Sequence, residues 1–187
     1  MKTLETERLL LTRWHISDVF DLYSYASNPN VGRPAGWPAH TSIWESFLLI
    51  VRVLIPQGVY CIRPKGSKKA IGTISFVPDK HRPGVRSMEL GYSISEKYWG
   101  MGIMTEAVQE MLRYGFEEKW FDMVCVTTGP DNIRSQRVIE KAGFVYEGTL
   151  RKAFRLWDDT IRDLRCYSMT RDEYYEIKKS VQTEKRR

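Results

Sequence analysis

Hydrophobic and polar positions along the chain follow two periods. Over 104–117, Met104, Ala107, Val108, Met111, Leu112 and Gly115 share one helical face, while Glu106, Gln109, Glu110, Arg113 and Glu117 share the other. A shorter helical stretch covers 132–142, and Gly143 stops it. Ser17–Asp18 reads as an N-cap pair opening a helix that carries Val19, Phe20, Leu22 and Tyr23, and Asn28-Pro29-Asn30 breaks that helix. A loop rich in Gly, Pro and Trp spans 31–42, and a strongly apolar helix comes next over 43–55. Strand-like runs occupy 8–13, 58–64, 70–77, 88–95, 123–128, 144–153 and 164–170, separated by turn-forming stretches such as Lys-Gly-Ser-Lys at 65–68. The order β-α-α-β-β-β-α-β-α-β-β predicts an α/β or α+β fold, a single mixed sheet with helices on both faces.

Between strand 88–95 and helix 104–117 stands Trp99-Gly100-Met101-Gly102. Glycines let the backbone turn sharply and approach a ligand, and the first N–H groups of the following helix point unpaired at whatever binds there. A pyrophosphate suits such a turn; a purely geometric strand-to-helix connection is the plain alternative. Two other glycine-rich motifs are excluded. No lysine follows either glycine, as a P-loop requires, and Thr105 stands where a dinucleotide fingerprint needs a third Gly or Ala.

Composition narrows the class further. A chain of 187 residues without repeats or low-complexity runs fits one domain, expected over 1–175, with a basic tail over 176–187. The net charge of +6 favours polyanionic partners, but Lys and Arg are dispersed except in the terminal Lys185-Arg186-Arg187, which describes a solvated basic surface. Cys61, Cys125 and Cys166 are an odd, scattered set that reads as reduced thiols in a cytoplasmic protein. His15, His40 and His81 lack ligand spacing, so no metal site is expected. The start of the chain has no apolar h-region, and the 43–55 run holds Glu45 and Arg52 and stops at Pro56, too short to cross a bilayer; no membrane partner is expected.

A series of short motifs then appears in order from Thr6 to Glu173: Thr6-Glu7-Arg8-Leu9, Ala35-Gly36-Trp37, Ile71-Gly72-Thr73-Ile74, Glu89-Leu90-Gly91-Tyr92, the glycine turn, Asn132-x-x-Ser135, Lys141-Ala142-Gly143-Phe144 and Glu147-Gly148-x-Leu150-Arg151. In that order and spacing they resemble the GCN5-related N-acetyltransferase (GNAT) superfamily, and within it the branch that acetylates the N-terminal alanine or serine of ribosomal proteins. The resemblance implies a splayed pair of central parallel strands, 88–95 and 123–128, with acetyl-CoA in the gap. It implies pantetheine pairing with the backbone of Tyr92, Ser93 and Ile94, and pyrophosphate on Gly100, Met101, Gly102, Ile103, Met104 and Thr105. Asn132 would contact pantetheine and Arg137 or Lys141 the phosphates, unless Asn132 is only an N-cap and the cations only a solvated face. The chain departs from the superfamily's Gln/Arg-x-x-Gly-x-Gly/Ala pattern at Trp99 and Met104. Met101 stands where the ribosomal-type branch often has lysine.

Acetyl transfer to an amine needs a neutral nitrogen and a proton for the departing thiolate. Glu89 is the candidate base; its alternative is an exposed strand carboxylate paired with Arg82 or Arg86. Ser135 is the candidate hydrogen donor to the thiolate. In many superfamily members a tyrosine four residues further on does this, and Ile139 fills that slot here; the alternative for Ser135 is an ordinary helix-surface residue. Trp37 and His40 lie in the loop that covers the acceptor in relatives, where they would form part of an acceptor wall or merely pack the loop. The expected activity is acetyl-CoA-dependent N-acetylation by direct attack in a ternary complex. A protein N-terminal α-amine is the leading acceptor, with ribosome association and a monomer or homodimer expected. The competing possibilities are a small-molecule amine (polyamine, amino acid or aminoglycoside) and a non-catalytic acyl-CoA or ribosome binder.

Overall fold

The computed structural model describes residues 1–184, so the terminal Lys185–Arg187 lies outside the described residues. In chain order the elements are β1 (Leu4–Glu5), β2 (Leu9–Arg13), α1 (Val19–Ala26), α2 (Pro29–Ala35), α3 (Ile43–Leu49), β3 (Tyr60–Pro64), β4 (Gly72–Pro78), β5 (Ser87–Ile94), α4 (Ile103–Arg113), β6 (Met123–Thr128), α5 (Ile133–Lys141), β7 (Val145–Arg155), β8 (Ile161–Thr170) and α6 (Arg171–Glu184). The strands form one eight-stranded mixed sheet in the order β1-β2-β3-β4-β5-β6-β8-β7. Every pair is antiparallel except β5–β6, which is parallel and joined by the crossover helix α4 that parallel pairing demands.

That parallel pair positions the site. β5 and β6 are in register at Ser87–Met123, Met88–Val124 and Glu89–Cys125, and go no further. β5 then continues to Ile94 along β4, and β6 to Thr128 along β8, leaving a wedge between them. Two apolar cores hold the sheet from either side. One face packs Leu90, Ile94, Val124 and Val126 against Met104, Val108 and Met111 of α4 and Ile139 of α5. The other packs Cys61 and Ala70 against Leu22, Tyr25, Ile50 and Leu54 under α1 and α3. Burial on both faces is what a central sheet of this class requires.

The N-terminal helices differ from the sequence expectation. Ser17–Asp18 does not cap α1: a 3-10 turn, Ile16–Asp18, precedes the helix, and Asp18 accepts from the His15 N–H at 2.8 Å. Asp18 also pairs with the buried Arg63 at 2.6 Å, which ties this turn to β3. Asn28-Pro29-Asn30 breaks one helix by starting another. Asn28 accepts from the Asn30 N–H at 2.9 Å, Pro29 takes the first helical position where its missing N–H costs nothing, and Gly36 ends α2 in the left-handed region at φ 94°. The expected 31–42 loop is therefore helical as far as Ala35.

Two helices run into a π-type turn, Ile50–Leu54 after α3 and Tyr114–Glu118 after α4. β7 and β8 extend beyond the expected strands to form a long hairpin, and β7 is exposed along almost all of its length. The boundary expected after residue 175 falls inside α6, which packs on the domain: Tyr174 stacks on Phe116 with ring centroids 5.0 Å apart, and Lys178 pairs with Glu117 at 2.5 Å. Among the described residues, no helix is long and apolar enough to cross a membrane.

Candidate active site

The wedge between β5 and β6 opens into a cleft of about 610 Å³. Its floor is the diverging strand pair. One end is the glycine turn, one wall is α5, and the opposite wall is made by α2 and the β7–β8 hairpin.

Gly100 and Gly102 both have positive φ, 75° and 72°, so the turn is built from two left-handed residues. The first helical bond of α4 runs from the Glu106 N–H to the Gly102 carbonyl at 3.1 Å. The N–H groups of Ile103, Met104 and Thr105 stand ahead of that ladder at the positive end of the helix dipole. The turn is pinned from outside, because Arg8 Nη1 donates to the Met101 carbonyl at 3.0 Å. Glu106 accepts from the Arg8 backbone N–H at 2.8 Å, from Arg8 Nε at 2.6 Å and from Thr6 Oγ1 at 2.5 Å. This is the physical content of the Thr6-Glu7-Arg8 motif. Trp99 donates Nε1–H to the Ile94 carbonyl at 3.1 Å, and the Arg134 guanidinium covers its ring at 4.3 Å.

Strand alternation divides β5 between the two sides of the sheet. Leu90, Tyr92 and Ile94 face α4 and α5; Glu89, Gly91 and Ser93 face the other way. Tyr92 OH lies 2.9 Å from Ser135 Oγ, and the Ser135 N–H donates to Asn132 Oδ1 at 3.2 Å. Asn132 is thus the N-cap of α5 and also a cleft residue, while Ile139 is buried in the core. Burial pushes the Tyr92 phenol up to about 12, with the Ser135 hydrogen bond opposing part of that rise, so the phenol stays protonated. On the opposite face Glu89 Oε1 accepts from Thr127 Oγ1 at 2.6 Å. Neither arginine expected as its partner reaches it: Arg82 pairs with Asp79 and Glu147, and Arg86 donates to the Lys119 carbonyl.

Of the residues expected around the cofactor, all line this cleft except Met101, whose side chain is 57% exposed. Trp37 and His40 lie elsewhere. They line a second hollow under α1 and α3, whose lining shares Ser93 with the main cleft. Trp37 packs over Gly32, and His40 Nδ1 sits 2.7 Å from Ser46 Oγ; burial lowers the His40 pKa, with Glu45 partly opposing. The wall of the main cleft on the side of α2 and the hairpin comes from Pro34, Ala35, Phe154, Arg162 and Leu164. Sequence reasoning missed these residues, as well as the Tyr92 phenol and Thr127. For Thr127 the sequence carries only the alternation of β6; it is the register of Cys125 opposite Glu89 that puts Thr127 on the Glu89 face.

The cleft suits a long phosphorylated thioester. The β6-facing backbone of β5 beyond Glu89 has no strand partner, three amides and a helix dipole wait at the glycine turn, and Arg134, Arg137 and Lys141 line the same cleft. Among the described residues, no cluster of His, Cys, Asp and Glu could hold a metal ion.

Comparison with known proteins agrees with this geometry. The family model described as an acetyltransferase (GNAT) domain matches residues 8–145. An uncharacterised N-acetyltransferase of Bacillus subtilis, YnaD, is 34% identical over 180 residues, covering 83% of this chain and 92% of the relative. The [ribosomal protein uS5]-alanine N-acetyltransferase of Escherichia coli is 27% identical over 182 residues, covering 91% of this chain and 92% of the relative. The crystal structure of a GNAT-family acetyltransferase from Bacillus anthracis superimposes with a TM-score of 0.80 at 24% identity, covering 91% of this chain and 99% of that one. The chain belongs to the GNAT family and is an N-acetyltransferase that uses acetyl-CoA.

Proposed function

We propose that the acceptor is the α-amine of a protein or peptide N-terminus, and that it reaches the reaction centre from the Glu89 face of the sheet. The observation that carries this is the placement of two proton-handling groups on opposite sides of one opening: Glu89 with Thr127 on one face, Ser135 with Tyr92 on the other. An amine arriving at the first face finds a carboxylate without an arginine partner, and a thiolate leaving on the second finds a hydroxyl pair.

Acetyl-CoA supplies the activated acetyl thioester. The glycine-turn amides and the open edge of β5 hold it in the cleft. Glu89, oriented by Thr127, takes up the proton that the amine nitrogen loses as its bond to the acetyl carbon forms. Ser135, its hydroxyl held by the Tyr92 phenol, donates a hydrogen bond toward the sulfur as the carbon–sulfur bond breaks; the thiolate then takes a proton from water, and Glu89 passes the amine's proton to water. This acid–base work is worth roughly 10²–10⁴ in rate.

An α-amine suits such a modest site. With a pKa of ~7.7–8 it is about a quarter neutral at a pH of about 7.4, against about a thousandth for a lysine of pKa ~10.4. The relative that acts on ribosomal protein uS5 supports an acceptor of this kind. Three unpaired cysteines are consistent with a cytoplasmic setting. The test is thiol release from acetyl-CoA in the presence of N-terminal peptides, the same peptides with blocked α-amines, polyamines and aminoglycosides. Release only with free α-amines supports the proposal; release with polyamines or aminoglycosides alone overturns it.

A further inference from the structure

Arg162 is a cation that the protein places in the cleft wall without an anion. On β8, Arg162, Leu164 and Cys166 alternate onto one face, and Cys166 is in register with Thr127, so Arg162 shares the face of Glu89 and Thr127. Its guanidinium lies over the Phe154 ring at 5.1 Å and against Gly129, where an added Cβ would come within 3.4 Å of Nη1. Nη1 donates to the carbonyls of Pro34 at 3.3 Å and Arg33 at 3.4 Å, both long bonds to neutral acceptors. Nε is buried and donates to nothing among the described residues. No carboxylate among the described residues comes within 4.0 Å of the guanidinium.

Three other buried or partly buried arginines have carboxylates: Arg63 has Asp18, Arg82 has Asp79 and Glu147, and Arg113 has Glu110 and Glu118. Arg165 also lacks a carboxylate among the described residues, but it donates to the Gln136 side-chain oxygen. Burial works against the charge of Arg162; Asp131, whose Oδ1 also lies against Gly129, opposes this in part without coming within ion-pair distance. Stripping a guanidinium of water in a cleft wall is unfavourable unless an anion joins it. Carbonyls are already supplied; the missing partner is negative charge. The glycine turn with Arg134, Arg137 and Lys141 already supplies donors for CoA's phosphates in the same cleft.

We propose that Arg162 selects the acceptor by binding a carboxylate that the acceptor amine itself carries. The inference rests on the amine arriving at the Glu89 face. Gly129, against which the guanidinium lies, is two residues beyond Thr127, roughly 7 Å along the strand direction. An extended peptide advances ~3.3–3.6 Å per residue, so the carboxylate is the side chain of one of the first two residues of a peptide or of a free acidic amino acid. A carboxylate is the anion whose planar geometry matches the guanidinium donors.

The alternative is a structural staple in which Arg162 only ties α2 to the hairpin. A staple gives no preference between aspartate and asparagine. The experiment measures kcat/KM for the wild type, Arg162→Met and Arg162→Lys with two pairs of acceptors. One pair is two short amidated peptides that differ only in Asp or Asn at the second position; the other is free aspartate and free asparagine. Calorimetry with CoA checks that each variant retains its cleft. The wild type is expected to favour the acidic member of at least one pair by tenfold or more, a hydrogen bond to a charged group being worth about that factor. Arg162→Met is expected to bring the ratio close to one, with Arg162→Lys between the two. Discrimination within the amino-acid pair alone supports the proposal and overturns the peptide acceptor. Equal efficiency within both pairs overturns the proposal, and where the peptides are acetylated it leaves the α-amine acceptor standing. Discrimination that survives Arg162→Met, or failure of all four compounds to release thiol, also overturns it.

Discussion

The Tyr92–Ser135 pair shows how far single residues were legible. Asn132-x-x-Ser135 identified the serine, but Tyr92 was expected to serve only through its backbone, because nothing in a strand reveals which helix its side chain will meet. The structure puts the phenol 2.9 Å from the serine hydroxyl, a long-range contact across 43 positions. Ser135→Ala and Tyr92→Phe should each lower kcat at least tenfold while leaving acetyl-CoA affinity nearly intact. Stopped-flow thiol release and calorimetry check the two quantities separately; unchanged kcat in both variants would remove the pair from the mechanism. Glu89→Gln should lower kcat/KM by roughly 10²–10⁴ and weaken its dependence on pH. Gly102→Val tests the anion cradle by a different route from crowding. A Cβ there would meet only the Arg8 guanidinium at an ordinary 3.5 Å, so the cost comes from forcing a branched residue to φ 72°. The expected result is at least a tenfold loss of CoA affinity, measured by calorimetry. Trp37 and His40 mark the limit at this scale: chain position placed them near the acceptor loop, and packing turned them into a neighbouring hollow.

Elements with a strong period were legible, and those defined by long-range pairing were not. β6 falls on the expected 123–128, and α5 begins after Asn132 and stops before Gly143 as expected. α2 was hidden because Asn28 and Pro29 are both breakers and helix starters, and only the packing of the next turn decides between the two. α6 was hidden because its docking surface, Phe116 and Glu117, lies far away in sequence. The length of the β7–β8 hairpin was unreadable because β7 is exposed on both faces and so carries no alternation. The splay of β5 and β6 cannot be seen in either strand alone. Glu106 serves an element-level function, holding the start of β2 against the N-terminus of α4. Burial tends to raise its pKa, but hydrogen bonds from Thr6 and Arg8 outweigh that and lower it. Glu106→Ala should release Arg8 and Thr6 together, weaken CoA binding several-fold and leave kcat at saturating acetyl-CoA close to wild type. A fall in kcat with unchanged affinity would contradict this placement.

At the scale of the molecule, the hairpin that walls the cleft is tied to the loop before β5 by a charge network. The Asp79 side chain is 0% exposed and pairs with Arg82, which also reaches Glu147 on β7. Burial alone would raise the Asp79 pKa, but hydrogen bonds from His81, Arg82 and Ser87 hold it at about 2. A carboxyl depressed below its unfolded value of ~3.9 contributes stability that is present above that pH and is lost as pH falls toward 2. Tm should therefore drop between about pH 4 and pH 2, and Asp79→Asn should flatten that drop; an identical acid profile in the variant would show that the network does not matter. The same walls and sheet form one opening, in which the proposed reading brings an α-amine and acetyl-CoA together. Mass spectrometry combined with thiol release, using purified enzyme, acetyl-CoA and N-terminal peptides, probes that meeting itself. One acetyl group on the α-amine is expected for each thiol released, with greatly reduced turnover in Glu89→Gln. Tight CoA binding without thiol release for any amine, or acetylation that is unaffected by Glu89→Gln, would contradict it.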